Sequence, residues 1–362
     1  MLDNLKKERR IIFFLILILN LFGLLMVYES SSMYAYKIKK DPLYFLERQF
    51  LFFIIGLIMF FFSLAINLEH LKKYNKEFLL FNLFLLFLLL FVGKKIGGAK
   101  RWFFLGGFNF QPSELLKLSF LLYCADYFKR KKNFLNNFYK GILPLGLVLS
   151  LMCLLLILQP DLGGAIFWIT WIFIFLFFQG VRKRYLILLA GAGLFFSFLV
   201  IQLYPSRFQR ILIYFNPFSD PKGVGFQLVQ SQIAFGRGGL FGVGLGESLQ
   251  KLFFLPAAHT DFIFSIIAEE FGLIGSLGII FIFFLLFHKM VKLARNAQEN
   301  FRRNILWGAI FIFFLEIIIN MGVSCGLLPT KGLSLPFISY GGSNLITHFV
   351  LLGVFFNASC KK

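Results

Sequence analysis

The segment LPAAHTDFIFSIIAEEFG, residues 255–272, places His259, Asp261, Glu269 and Glu270 along an otherwise apolar run. Carboxylates are costly in a bilayer, so those that persist there serve chemistry or tight pairing. Asp261 and Glu269 are separated by roughly 12 Å of helix, which sets the first near a water interface and the second deep in hydrocarbon. An aspartate at a helix mouth can act as a general base, and it can equally serve as an N-cap, with Thr260 as a rival cap. His259 could orient a hydroxyl or a sugar, or be a satisfied polar residue at the membrane boundary. Glu269 and Glu270 point about 100° apart and cannot share one environment. Glu316 and Asn320, at i and i+4 on the following span, are candidate interhelical partners.

A second group is cationic. Lys94, Lys95, Lys100 and Arg101 cluster in FVGKKIGGAKRWFFLGG, a pattern suited to an anionic ligand or to lipid headgroups. Glu114 and Lys117, at i and i+3 behind Gln111-Pro112-Ser113, share a helix face. They form an internal ion pair, a substrate contact through Lys117, or both. Asp161, in Gln159-Pro160-Asp161, is expected to cap the helix after it. The irregular stretch 328–343 brings Lys331 and Ser343 to a position where they could meet phosphate or sugar.

These residues are carried by a chain that is 59% hydrophobic, with apolar runs that repeatedly reach spanning length, about 20 residues. The expected fold is an all-α polytopic membrane protein. About ten transmembrane helices fall near 11–28, 48–66, 78–92, 112–128, 142–158, 162–180, 185–203, 261–287, 304–323 and 341–358. Residues 1–362 form a single transmembrane domain, with one long external loop, 204–260, between helices 7 and 8. Within that loop Phe226, Val229, Ile233 and Ala234 fall at helical spacing, which predicts an amphipathic helix near the outer interface. With the N-terminus cytoplasmic, that side holds 22 Lys and Arg, against 9 in the short loops opposite. The positive-inside rule therefore puts both termini in the cytoplasm and the His-Asp motif outside.

Other classes are disfavoured. The four cysteines lie far apart without CxxC spacing and the histidines are scattered, so neither a disulfide framework nor a zinc site is indicated. The formal charge of +20 fits basic loops against anionic headgroups, and no soluble basic domain exists to bind nucleic acid. The glycines between 236 and 246 lack the GK[ST] ending and the strand-turn-helix context of a nucleotide loop. Pro329-Thr330-Lys331-Gly332 inverts a Lys-Thr-Gly box and has no Ser-x-x-Lys nearby, so a transpeptidase centre is not expected.

Four motifs, GGAKRWFFLGGFNFQPSELLKLSF (97–120), LQPDLGGA (158–165), GFQLVQSQIAFGRGGLFGVGLGESLQKLFFLPAAHTDFIFSIIAEEFGLIGS (225–276) and GLLPTKGLSLPFISYGGSN (326–344), resemble the SEDS family (shape, elongation, division and sporulation proteins). The last motif resembles the division branch; the elongation branch usually reads V-T-G-I-P-L-P-F there. The resemblance implies a bacterial inner-membrane peptidoglycan glycosyltransferase at the septum. It would polymerise lipid II into β-1,4 glycan with release of polyprenyl pyrophosphate. It implies Asp261 as the catalytic residue, and the residues' own chemistry offers Arg101, Lys100, Lys117, Glu114, His259, Lys331 and Ser343 as substrate contacts. No resident cofactor is implied with certainty; a divalent cation, Mg or Mn, is compatible with Asp261. The implied partners are a class B penicillin-binding protein and other divisome membrane proteins. The family often has Glu where this chain has Ala257. A lipid II flippase, a non-catalytic scaffold and an elongation role are the competing readings.

Overall fold

The computed structural model describes residues 2–96, 99–106, 108–203, 213–223, 225–330 and 332–360. Every apolar run predicted to span has become a helix: α1 (Leu2–Lys39), α2 (Tyr44–Ala65), and, after the short α3 (Leu68–Lys73), α4 (Asn75–Val92), α5 (Pro112–Arg130), α6 (Leu143–Leu158), α7 (Leu162–Phe178) and α8 (Lys183–Leu203). Past the loop come α9 (Phe226–Gly238), α10 (Ile263–Arg295), α11 (Asn300–Ser324) and α12 (Gly342–Ser359). Six helices among the described residues are long and apolar enough to cross a membrane. The molecule is a polytopic helical membrane protein. α5 opens on Pro112, where the missing N–H is harmless, and Asp161 caps α7 by accepting from the Gly164 N–H at 3.1 Å.

The segment carrying Lys100 and Arg101 is not helical. It folds as an antiparallel sheet of β1 (Lys94–Ile96), β2 (Ala99–Leu105) and β3 (Phe108–Phe110), in that order, with Phe104 opposite Asn109.

The chain divides into two compact units. One comprises Met1–Ile55, Phe198–Met290 and Glu316–Gly341; the other Gly56–Ser197, Val291–Leu315 and Gly342–Lys362. In the second unit α5 packs on α4 and α12, and several buried polar groups find partners inside the protein. The Trp171 indole donates to the Gly308 carbonyl at 3.0 Å, the Gln159 amide to Leu86 at 2.7 Å, and Asn82 pairs with Ser119 at 2.8 Å.

In the first unit α10 is broken. Gly272 has φ 66° and ψ −162°, a conformation closed to residues with a Cβ. The groups freed by the break are taken up by the glycine-rich loop after α9. Val243 and Gly244 donate to the Glu269 and Glu270 carbonyls at 3.0 and 3.1 Å, while Leu273 and Ile274 donate back to Gly239 and Leu240 at 2.9 and 3.2 Å. Irregular backbone of this kind is tolerated at membrane depth only when protein covers it. The face that α9 buries is also rotated from the expected one: Leu228, Val229, Ser231 and Ala234 are buried, whereas Ile233 is exposed. The predicted spacing included Phe226 and Ile233, but the serine side of the helix is the packed one, because Ser231 bonds the Ser265 hydroxyl and the Ser324 carbonyl, both at 2.6 Å.

Candidate active site

Asp261 lies in the turn that leads into α10. The Ala257 carbonyl accepts from the N–H groups of Thr260, Asp261 and Phe262, at 3.1, 3.1 and 3.3 Å, and Ala257 takes the left-handed φ of 57° to do so. The Thr260 hydroxyl donates to the same carbonyl at 3.2 Å. Three successive carbonyls of the turn are then held from the chain segment 320–340. His259 O accepts from Tyr340 N at 2.9 Å, Thr260 O from the Ser339 hydroxyl at 2.6 Å, and Asp261 O from Asn320 Nδ2 at 2.9 Å. Gln49 braces the far side, donating to Ser339 O at 3.1 Å and accepting from Gly341 N at 3.2 Å. The Asp261 carboxylate rests against Gly332, where an added Cβ would stand 2.8 Å from Oδ2.

His259 is enclosed by rings: Phe45 at 4.8 Å between centroids, and Tyr34 and Tyr340 each at 5.7 Å. Burial among them lowers its pKa to about 4, so the imidazole is neutral at physiological pH. Such a ring can fix the turn before Asp261 and can accept or donate a hydrogen bond, but it supplies no positive charge.

Further along the same unit, Glu269 accepts from Arg237 at 2.7 Å, from the Ser248 hydroxyl, and from the N–H groups of Leu249 and Gln250, each at 3.2 Å. Glu270 accepts from Lys251 at 3.1 Å, and Lys251 also reaches Glu29 at 3.0 Å. Burial opposes the Lys251 charge, but its bonds to Glu29 and Glu270 outweigh that and hold its pKa above the ordinary value. The expected role of Asn320 as a partner for these glutamates is therefore corrected: its amide serves Asp261 and Leu333, because the loop 237–251 folds back to supply the cations.

In the second unit two cations of the sequence motif, Lys100 and Arg101, are engaged. Lys100 donates to the Leu90 carbonyl at 2.9 Å, near the end of α4. Arg101 donates to the carbonyls of Gln159 (3.3 Å) and Pro160 and lies 3.8 Å from Asp161, so it grips the turn that Asp161 caps. Lys117, almost wholly buried, sits 2.5 Å from Glu114, which also accepts from Asn344 at 2.9 Å. The Lys117 ammonium is 3.4 Å from His348 Nε2. Ser343 donates to the Asn109 carbonyl at 2.8 Å and accepts from Gln111 N at 3.1 Å, tying α12 to the end of the sheet. Lys331 lies outside the described residues. Asn344 and His348 were not singled out from the sequence, although their i, i+4 spacing puts them on one face of α12. Among the described residues no group of three His, Cys, Asp or Glu side chains is placed to hold a metal.

Residues 9–362 match the family described as cell cycle protein, FtsW/RodA/SpoVE. The chain belongs to this family. It is 40% identical to a probable peptidoglycan glycosyltransferase FtsW of Trichlorobacter lovleyi, over 99% of this chain and 96% of the relative. It is 41% identical to the protein of the same name from Geobacter sulfurreducens, over 99% and 97%. Among solved structures it is similar to a chain from a study of the structural coordination of polymerization and crosslinking by a peptidoglycan synthase complex, with TM-score 0.79, 32% identity and 96% of each chain covered. It is also similar to the rod shape determining protein RodA of Thermus thermophilus, with TM-score 0.71, 29% identity and coverage of 96% and 95%. Family membership extends over both units, and the division-branch motif at 326–344 agrees with the FtsW relatives.

Proposed function

We propose that this protein is a peptidoglycan glycosyltransferase that joins lipid II units into β-1,4 glycan, with Asp261 as the general base. The observation that carries this reading is the Asp261 turn, whose carbonyls at 259, 260 and 261 are each held by a separate donor while the carboxylate lies against a residue with no side chain. A carboxylate so fixed can take the proton of an acceptor 4-hydroxyl as that oxygen attacks the anomeric carbon, and the polyprenyl pyrophosphate leaves from the opposite face with inversion. Neutral His259 fits a positioning role for the turn or a hydrogen bond to a sugar. For the second unit we propose an anion-binding role for Arg101 and Lys117, because guanidinium and ammonium N–H groups form charge-assisted hydrogen bonds to phosphate oxygens.

A flippase reading would rest on polar groups deep in a span, here Glu269 and Glu270. Both are committed to Arg237, Ser248 and Lys251, which suits the holding of a loop better than the passage of a headgroup. The proposed setting is the bacterial inner membrane at the septum, with both termini cytoplasmic and a class B penicillin-binding protein as partner. A cysteine placed at 222 should be labelled from outside and one at 131 spared; the reverse pattern overturns the topology.

The decisive experiment is polymerisation of labelled lipid II by the full chain co-purified with that partner, comparing wild type with Asp261→Asn. The Asn keeps size and capping ability but cannot take the proton, so glycan formation should fall at least about 10²-fold. Normal glycan strands from folded Asp261→Asn protein would overturn the assignment.

A further inference from the structure

We propose that Asn320 is a positioning residue for Asp261, an inference that rests on Asp261 being the general base. Asn320 is 1% exposed, on the part of α11 that belongs to the same unit as Asp261. Its Nδ2 donates to two carbonyls from different stretches of chain, Asp261 O at 2.9 Å and Leu333 O at 2.6 Å. One planar amide therefore sets the spacing between the backbone of residue 261 and that of residue 333. Leu333 adjoins Gly332, the residue on which the Asp261 carboxylate rests. The same side chain thus fixes where the carboxylate is mounted and the surface it lies against.

The neighbouring contacts do not duplicate this. Ser339 holds Thr260, and Tyr340 N–H holds His259; neither reaches the backbone of residue 261. The choice of amide also has a chemical reason. Two carbonyls facing one side chain need two donors: Asp offers none when ionised, Ser offers one, and Leu fills the volume with neither. The Asn320 Oδ1 is buried without a hydrogen-bond partner among the described residues, so the position uses the side chain for its donors. A displacement of about 1 Å at a reacting group costs on the order of 10² in rate, and the loss of this tether permits a shift of that size.

The test uses the full chain co-purified with its penicillin-binding partner and fluorescent lipid II, with variants Asn320→Asp, Asn320→Leu and Asn320→Ser beside Asp261→Asn. Asn320→Asp and Asn320→Leu should lower kcat about 10–100-fold while KM for lipid II stays within about two-fold. Asn320→Ser, which keeps one donor, should recover part of the loss. A merely space-filling role predicts the opposite order, with the near-isosteric Asp and Leu harmless and the smaller Ser worst. Wild-type kcat in the Asp and Leu variants, a loss confined to KM, or a loss that follows the melting temperature equally in all three overturns the proposal. Should Asp and Leu variants not accumulate, Asn320→Ser decides alone: reduced kcat at unchanged KM supports the proposal, and wild-type kcat overturns it. If Asp261→Asn itself turns over normally, the general-base reading has failed; if it is inactive while the Asn320 variants are normal, only the positioning role has.

Discussion

Arg237 donates to Glu269 at 2.7 Å, and the carboxylate it meets has no solvent exposure at all. The pair links the end of α9 to the part of α10 that precedes its break at Gly272, and Ser248 with the N–H groups of 249 and 250 completes the ring of donors. Removing the carboxylate strands all of these at once. Glu269→Ala should cost about 3–5 kcal/mol, the range for breaking a buried charge pair. Arg237 is about a third exposed and can turn to water, so Arg237→Ala should cost less. Melting temperature in detergent checks the order, and limited proteolysis should cut first within 239–254 in the Glu269 variant. Equal stability of wild type and Glu269→Ala would refute the latch.

His259 gives the protein a pH dependence of definite sign. Its ring titrates near 4 in the fold and near 6.5 when unfolded. Between those values only the unfolded chain binds the proton, so this group's contribution to stability is full above about pH 6.5 and declines toward pH 4. The slope from one such proton is at most about 1.4 kcal/mol per pH unit. His259→Phe keeps the packing on Phe45, Tyr34 and Tyr340 and removes the titration. Thermal midpoints measured from pH 7.5 to 4.5 should therefore fall less steeply in the variant; parallel curves would show that another group controls the acid limb.

Much of this architecture was readable from the chain because the signals were local. Apolar runs marked the spans, the i, i+3 spacing of Glu114 and Lys117 marked their ion pair, and Asp161 before Leu162 marked a cap. Other features depend on residues far apart in sequence. Arg237 and Glu269 lie 32 residues apart and meet beside the break of α10 at Gly272, and a lone glycine in an apolar run reads as ordinary helix. In the sheet holding Lys100 and Arg101, two of the three strands are three residues long, and the seven residues of β2 do not alternate apolar with polar. Asn320 was visible as a polar residue in a span, but its two carbonyl partners belong to irregular backbone that no periodicity describes.

Lys117 and Glu114 yield a prediction about charge. With Lys117 almost wholly buried and 2.5 Å from Glu114, neither can be neutralised without disturbing the other. If Lys117 binds an anion in the reaction, Lys117→Gln should slow polymerisation by about 10²–10³. Arg101→Gln tests the same role on the sheet and, because it also loosens the 159–161 turn, should lower the melting temperature as well. Membrane abundance measured alongside rate separates the two effects. Unchanged rates in both variants would confine these cations to structural pairing.

Gly332 offers the sharpest test of how Asp261 is placed. Its backbone is not in the left-handed region, so alanine is conformationally acceptable there, and the residue is exposed, so folding should tolerate a methyl group. That methyl would stand 2.8 Å from Asp261 Oδ2 and 3.5 Å from Cγ, closer than a carbon and a carboxylate oxygen normally approach. The clash is relieved by turning the carboxylate away or by moving the 332–333 backbone against the Asn320 tether, and either motion shifts the base. Gly332→Ala should therefore lower kcat about 10–100-fold with the melting temperature within a degree or two of wild type. In an Asp261→Asn background the same methyl should cost little more, since the proton-accepting group it displaces is already gone. A Gly332→Ala protein that polymerises lipid II at the wild-type rate would show that the carboxylate does not act from the position it holds here.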